Sequence, residues 1–579
     1  MEPIHFAGRL PIAALAAALA LAPAWAGARA QSPLARVSVD ANGQQGNGDS
    51  SQDAAPGALS ADGRWVAFAS VATNLVANDK NGASDIFVRD QSTGAIVRVS
   101  INNSGTEANS ACFQPALSRD GRFVAFQTFA TNFAKDTNAR VDVYVRDRDA
   151  DGDGVFDEAN DVTVRASLSN GGVEADQDCV GASISSDGSL VAFTSHSAYL
   201  VTGDTNGVTD VFVRDLKNKT TVRVSVDSSG VEGNDLSFPA QITADGHAVV
   251  FVSYATNLVP GDTNHWQDVF LSDLAAGTIT LVSVDAVGTQ GNYASRQPAI
   301  SGDGRFVAFT SSANNLVAGD TNNFDDIFVK DMTTGTVTRA SVDSAGNESF
   351  GNSYLPAISD DGAMVAFTSA AVNLVPSDTN RFEDVFAHEF AGATTIAASM
   401  PCGILGDSYT ESVFVSGDGQ FVGFRSISDN LVPGDTNGAF DVFVHDRSIA
   451  AAAAWSNYGT GFPGTNGVPS LAASAIPKLG TSISVDVTNS LGTWSIAELF
   501  VGTATASVPT RAGGTLLVGD LLAVVPFVLL PATPTSFPFA VPFDPALCGF
   551  HLYLQALELD AGAAHGLSFT PGLELDFGG

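Results

Sequence analysis

Acidic side chains at regular spacing are the residues of this chain best suited to chemistry. The segment from Asp147 to Glu158 reads Asp-Arg-Asp-Ala-Asp-Gly-Asp-Gly-Val-Phe-Asp-Glu. It places Asp147, Asp149, Asp151, Asp153 and Glu158 at positions 1, 3, 5, 7 and 12, with Gly152 at the sharp bend of position 6. Oxygen ligands at those intervals suit a calcium ion, which takes about six to eight oxygens. A shorter pattern, Asp-x-Asn-x-x-x-Asp, occurs seven times. Its members are Asp79/Asn81/Asp85, Asp136/Asn138/Asp142, Asp204/Asn206/Asp210, Asp262/Asn264/Asp268, Asp320/Asn322/Asp326, Asp378/Asn380/Asp384 and Asp435/Asn437/Asp441. Two readings are open for it. Oxygens at positions 1, 3 and 7 make half of a calcium loop, the expectation for the sets at 204–210, 262–268, 320–326 and 435–441. Alternatively, the Asp and Asn side chains bond their own backbone and shape a turn.

The elements that position these acids repeat with them. A Ser/Thr-x-Asp-Gly turn recurs with its Asp at 62, 120, 187, 245, 303, 361 and 418, a period near 58 broken once by nine extra residues. The insertion is the 147–158 segment. Six residues after each turn Asp stands a Phe: Phe68, Phe126, Phe193, Phe251, Phe309, Phe367 and Phe424. A second aromatic follows each acidic loop, at Phe87, Tyr144, Phe212, Phe270, Phe328, Phe386 and Phe443. Each unit reads as four short strands, and no stretch keeps a helical period. Seven four-stranded units predict an all-β chain, a seven-bladed β-propeller. The last unit supplies three strands, while Ala35-Arg36-Val37-Ser38-Val39-Asp40 copies a fourth strand ahead of the first unit. That N-terminal strand is expected to complete the last blade and close the ring.

The run Ser118 to Phe126, Ser-x-Asp-Gly-x-x-Val-Ala-Phe, resembles the WD-like propeller repeat of TolB-type proteins. The resemblance spans about Leu34 to Ile449 and implies an exported binding scaffold rather than a defined reaction. The blade number and the missing N-terminal α/β domain differ from TolB itself, so its partners are not implied. The 147–158 segment resembles an EF-hand or dockerin-type calcium loop without flanking helices. It joins strands three and four of the second blade. In a propeller the second-to-third loops and the crossovers share one face. That face therefore gathers the Asp-x-Asn-x-x-x-Asp loops and a Gly-x-x-Gly-Asn crossover, and is where a protein or glycan would bind.

Residues 1–30 read as a secretory signal: Arg9, an apolar run from Leu10 to Ala22, and small-x-small sites at Ala24–Ala26 and Ala28–Ala30. The domains are then a signal at 1–30, the propeller at 31–450 and a C-terminal β-sandwich-like module at 451–579. In that module Gly464-Thr465-Asn466-Gly467 and, later, Gln555-Ala556 before Asp560 resemble a C-terminal module of exported bacterial proteins. No other segment is a good membrane span. Of the four Cys, Cys112 and Cys179 stand eight residues before their turn Asp in adjacent units and are expected to form a disulfide. Cys402 and Cys548 are left as a second candidate pair.

The chain has 579 residues, 27 basic and 62 acidic, for a net charge of −35. Such an excess argues against nucleic acid and anionic membrane partners. No Gly-x-Ser-x-Gly elbow or His-Glu-x-x-His pair occurs. His388 and His445 take the place of Arg89 in the strand-three motif, and His265 lies in a loop. The expectation is a monomeric, non-catalytic binding scaffold with calcium-stabilised loops, secreted, periplasmic or on the surface of a bacterium. A propeller hydrolase or lyase acting on extracellular polysaccharide and a structural surface protein are the alternatives.

Overall fold

A computed structural model describes residues 33–51, 57–133, 136–376, 378–400, 405–448, 453–531, 533–541, 547–548 and 550–578. The signal segment and Cys402 lie outside the described residues. The chain divides into two compact units, one of Leu34–Met400 with Leu405–Arg447, the other containing Ser448–Gly579.

Every named element of the first unit is a strand. Its described residues form seven four-stranded antiparallel sheets, each in sequential strand order save the last. The third sheet shows the pattern: Cys179–Ile184, Leu190–Ser195, Asp210–Asp215 and Thr220–Arg223. Phe193 lies directly opposite Phe212, with ring centroids 5.9 Å apart. The same cross-strand pair recurs in every sheet, from Phe68 with Phe87 at 6.0 Å to Phe424 with Phe443 at 5.6 Å. These rings are wholly buried because both faces of a sheet are covered by its neighbours. Ala192, Val211 and Val213 of the third sheet share a core with Val249, Phe251 and Phe270 of the fourth. Two-sided burial explains why strands two and three read as continuous apolar runs rather than alternating ones. Burying one Phe contributes about 1.5–3 kcal/mol.

The last sheet takes its fourth strand from the chain start. Leu34–Arg36 pairs antiparallel with Asp441–Asp446, setting Arg36 opposite Phe443. Phe414, Val442 and Val444 of this sheet share a core with Leu59, Val66 and Phe68 of the first.

The Ser-x-Asp-Gly turn is a side-chain clasp. Asp120 Oδ1 accepts the Ser118 hydroxyl at 2.6 Å and the Arg122 N–H at 3.0 Å, and Ser118 Oγ accepts the Phe123 N–H at 2.8 Å. Its glycine has two reasons to be glycine. Gly188 sits at φ 69°, and a Cβ there would lie 2.3 Å from the Phe123 ring of the preceding sheet. The first strands also carry register shifts, with Gln114, Gln297, Leu355 and Ser412 at positive φ, a bulge that the spacing of the repeats does not announce.

In the second unit one sheet joins Ala454–Tyr458, Gly572–Asp576, His551–Leu559, Ser495–Pro509 and Thr515–Leu529, with Leu567–Phe569 pairing His551–Leu559. A three-stranded sheet joins Leu471–Ala473, Ser482–Val487 and Thr535–Ala540. Ile483, Val485, Leu499, Val501, Leu552 and Leu573, drawn from both sheets, share one core.

Candidate cation sites in the connecting loops

In the third sheet the acidic loop is fixed by its Asn. Asn206 Oδ1 accepts the Val208 N–H at 3.1 Å, and its Nδ2 donates to Asp210 Oδ2 and Gly233 O, both at 3.0 Å. Asp210 is fully buried at the head of strand three, where its Oδ1 accepts the Ser225 hydroxyl at 2.5 Å. That hydroxyl accepts the Val211 N–H at 3.1 Å. The turn-forming role of these side chains is therefore realised.

The cation between the two carboxylates is an arginine. Arg223 lies opposite Phe212 on strand four, and its Nη1 reaches Asp204 Oδ1 at 3.3 Å, Asp210 Oδ2 at 3.4 Å and Glu232 Oε2 at 2.7 Å. The same triad of acids surrounds Arg98 (Asp79, Asp85, Glu107), Arg165 (Asp136, Asp142, Glu174) and Arg339 (Asp320, Asp326, Glu348). In the last sheet Arg36 arrives from the N-terminal strand, 2.9 Å from Asp435 Oδ1 and 3.4 Å from Asp441 Oδ2. In the fourth sheet Leu281 replaces the arginine, and Gln290 Nε2 donates to Asp262 Oδ1 at 2.7 Å and Asp268 Oδ2 at 2.9 Å.

At Asp204 and Asp210, at Asp320 and Asp326, and at Asp435 and Asp441, all expected to take calcium, a guanidinium stands between the two carboxylates. At Asp262 and Asp268 a side-chain amide does. The middle residues Asn206, Asn264, Asn322 and Asn437, expected as calcium ligands, each engage their side-chain oxygen with their own turn. Asn264 Oδ1 accepts the Trp266 N–H at 2.8 Å, and its Nδ2 donates to Gly291 O at 2.9 Å. Asn437 Oδ1 accepts the Ala439 N–H at 3.0 Å. Its Nδ2 donates to Gly46 O at 2.9 Å and to Asp441 Oδ2 at 3.1 Å. Asn264 and Asn437 therefore brace the turn and the neighbouring crossover.

The residue missing from the sequence reading was the strand-four arginine, 13 positions after Asp210 and Asp326. Burial, the largest cause, pushes the carboxyls of Asp268, Asp320, Asp384 and Asp441 up to about 6.

The 147–158 segment is different. Carboxylate oxygens of Asp149, Asp151 and Asp153 come within 4.8 Å of one another. Desolvation first, then the carboxylates of Asp153 and Asp151, holds the Glu158 carboxyl above its ordinary range. Gly152 takes φ 75° at the bend. Asp147, expected as the first ligand, instead accepts Arg122 Nε at 2.7 Å and Nη2 at 2.9 Å. The base of the loop is pinned by Arg148, whose buried guanidinium forms a two-point pair with Asp157 at 2.8 and 2.6 Å and lies 4.4 Å from the Trp65 ring. Three of the five expected ligands thus face one another on a loop anchored at its base.

Cys112 and Cys179 are free and buried, which overturns the expected disulfide. Each opens the first strand of its own sheet, and the two thiols are buried in different cores, Cys112 between the first and second sheets and Cys179 between the second and third. Cys112 Sγ instead donates to Thr128 Oγ1 at 3.2 Å, and burial pushes the Cys179 thiol up to about 12. Cys548 is disulfide-bonded. His388 and His445 are buried and held below the usual histidine range by desolvation. Their Nδ1 atoms meet Thr395 Oγ1 at 2.8 Å and Ala398 O at 2.6 Å, and His265 is exposed at φ 59°.

The loops also carry aromatic side chains that the sequence reading passed over. Trp266 and Tyr293 pair at 5.9 Å and Phe382 and Tyr409 at 5.3 Å, with Phe324 and Phe350 exposed in the equivalent segments of the fifth unit. The corresponding loop positions of the first three units hold Ala83, Arg140 and Val208.

In the second unit the two halves of the tail signature meet. Thr465 N–H donates to Asp560 Oδ2 at 2.6 Å, and the buried Glu558 accepts the Ser490 and Ser495 hydroxyls, each at 2.6 Å.

No family model and no curated protein matches the chain. Among solved structures it is similar to a protein described as TolB from Agrobacterium tumefaciens, at 15% identity over 62% of this chain and 97% of that one, with a TM-score of 0.34. It is similar to the WD40 repeats of RRP9, at 9% identity over 72% and 98% of the two chains, TM-score 0.36. The periplasmic gluconolactonase PpgL of Pseudomonas aeruginosa aligns at 13% identity over 79% and 95%, TM-score 0.30. The all-β, four-stranded architecture stated above rests on the hydrogen-bond pattern of the sheets themselves.

Proposed function

We propose that the protein is an exported, non-catalytic binding scaffold: a seven-bladed propeller, closed by its N-terminal strand, that holds a glycan on the loop-rich face of units four to six. Two observations support the closed ring: the pairing of Leu34–Arg36 with Asp441–Asp446, and the core that the last sheet shares with the first. Export rests on the character of residues 1–30.

The observation that carries the binding reading is the run of exposed aromatic side chains in units four to six, beside the single exposed Phe129 and Tyr199 of the loops of units two and three. Trp266, Tyr293, Phe350 and Tyr409 are each about half exposed or more, on loops whose polar side chains are already committed to one another. Exposed rings on a rigid frame suit the apolar faces of sugars. Calcium at Asp149, Asp151, Asp153 and Glu158 stabilises the insertion and takes no part in recognition. A glycan array probed with the protein tests the reading. Binding should fall at least tenfold in Trp266→Ala with Tyr293→Ala and stay unchanged in Val208→Ala. Binding that ignores the aromatic pair contradicts it.

A further inference from the structure

The sixth unit keeps the acidic loop and lacks its counter-charge. Asp384 Oδ1 accepts the Ser399 hydroxyl at 2.8 Å, which accepts the Val385 N–H at 2.9 Å. The same frame holds Asp326 in the fifth unit through Ser341. Asn380 accepts the Phe382 N–H and donates to Gly406 O, each at 3.0 Å, as Asn322 does with Phe324 and Ser349. What differs is the filling. Opposite Phe328 stands Arg339, and opposite Phe386 stands Ala397. Asn373 donates to Glu348 O, and its counterpart Asn430 donates to Leu405 O, so Leu405 takes the place of Glu348.

The other six sheets set a donor nitrogen between the same two atoms, Oδ1 of the first Asp and Oδ2 of the last: an arginine Nη in five and Gln290 Nε2 in one. In the sixth sheet those atoms are Asp378 Oδ1 and Asp384 Oδ2. Among the described residues neither has a hydrogen-bond partner, although Asp378 is 5% exposed and Asp384 0%. Burial first, then the charge of Asp378, raises the Asp384 carboxyl, and two buried carboxylates that repel each other are costly to leave unpaired.

The geometry points to a divalent hard cation, of the calcium class, bound between Asp378 Oδ1 and Asp384 Oδ2 where the neighbouring units hold a guanidinium. Two carboxylates neutralise a divalent ion, and Ala397 stands where the fifth unit carries its arginine. The site is separate from the 147–158 loop and independent of the binding reading.

The test is calorimetric titration of calcium chloride into chelator-stripped protein carrying Asp151→Asn and Asp153→Asn, with magnesium and sodium chloride as parallel arms. One calcium equivalent should remain. Asp378→Asn should weaken it at least tenfold. Ala397→Arg with Leu405→Glu, which recreates the fifth unit, should abolish it and raise the melting temperature measured in chelator. No calcium binding in this background, sodium binding alone, or binding undiminished by Asp378→Asn would overturn the proposal. If circular dichroism shows the Ala397→Arg/Leu405→Glu protein misfolded, Asp378→Asn decides alone.

Discussion

The fifth unit and the insertion of the second unit each gather three acids, and they settle the repulsion in opposite ways. Asp320, Asp326 and Glu348 converge on Arg339 in the shelter of packed sheets. Asp149, Asp151 and Asp153 converge on no side-chain cation among the described residues, on a loop whose Asp151 and Asp153 are exposed. Spacing of acids therefore predicts that a positive charge belongs there, and in these two places the buried acids carry their own counter-charge while the exposed ones do not. An exposed loop can wait for its ion at little cost. Geometry alone does not make the distinction: Asp79, Asp85 and Glu107 lie within 4.8 Å of one another, and Arg98 reaches all three.

The contrast predicts its own largest failure. Arg339→Met should destabilise the first unit by ~3–5 kcal/mol, because it strands buried carboxylates rather than exchanging a whole ion pair. Chemical denaturation would show this as a lower midpoint at an unchanged slope. The same loss should follow Arg36→Met, and there it also tests the strand that completes the last sheet.

Removing the borrowed charge should cost less and only conditionally. Asp151→Asn with Asp153→Asn should match the wild type in chelator. It should forfeit the part of the calcium-dependent gain that this loop supplies, about 2.7 kcal/mol when the ion is at 100 times its dissociation constant. Equal melting temperatures with calcium and with chelator in the wild type would remove the ion from the account.

Smaller still is the pH response. Asp268, Asp320, Asp384 and Asp441 have folded carboxyls near 6 against an ordinary 3.8. Between those values the folded state holds more protons than the unfolded one, so stability is greatest at the low end and falls as pH rises through about 6. A melting temperature higher at pH 5 than at pH 7.5 is expected, with a larger gain in Arg339→Met. The smallest effect concerns the thiols. Without reductant, Cys112 and Cys179 should resist a thiol reagent in the folded protein and both react once it unfolds, whereas a Cys112–Cys179 bridge would leave neither to react.

What the sequence made legible was whatever repeats in one strand or one turn. The paired Phe positions, the Ser-x-Asp-Gly clasp and the spare strand at Ala35 each announce a local geometry, and the sheets realise them. What it hid depends on register between strands. Arg223 meets Asp210 only because it lies opposite Phe212, and Glu232 joins them from the next crossover. Asn264 and Asn437 show the same limit, since the carbonyls of Gly291 and Gly46 that hold them come from crossovers remote in the chain. The recurrence of Arg98, Arg223 and Arg339 at one interval after the loop Asp was a readable signal. Its loss at Leu281 and Ala397 was readable too. The failed Cys112–Cys179 bridge has the same root, since equivalence in a repeat buries the two residues in different cores, not side by side. The bulges at Gln114 and Leu355 each precede a proline, Pro115 and Pro356, a mark that the spacing of the repeats does not carry.

The account turns on built-in arginines sparing most acidic loops from metal. Native mass spectrometry of the signal-free protein across a calcium titration counts the ions directly. Two tightly held calcium ions are predicted, one in the 147–158 loop and one between Asp378 and Asp384. Seven or more, one for each acidic loop, would contradict it, as would none.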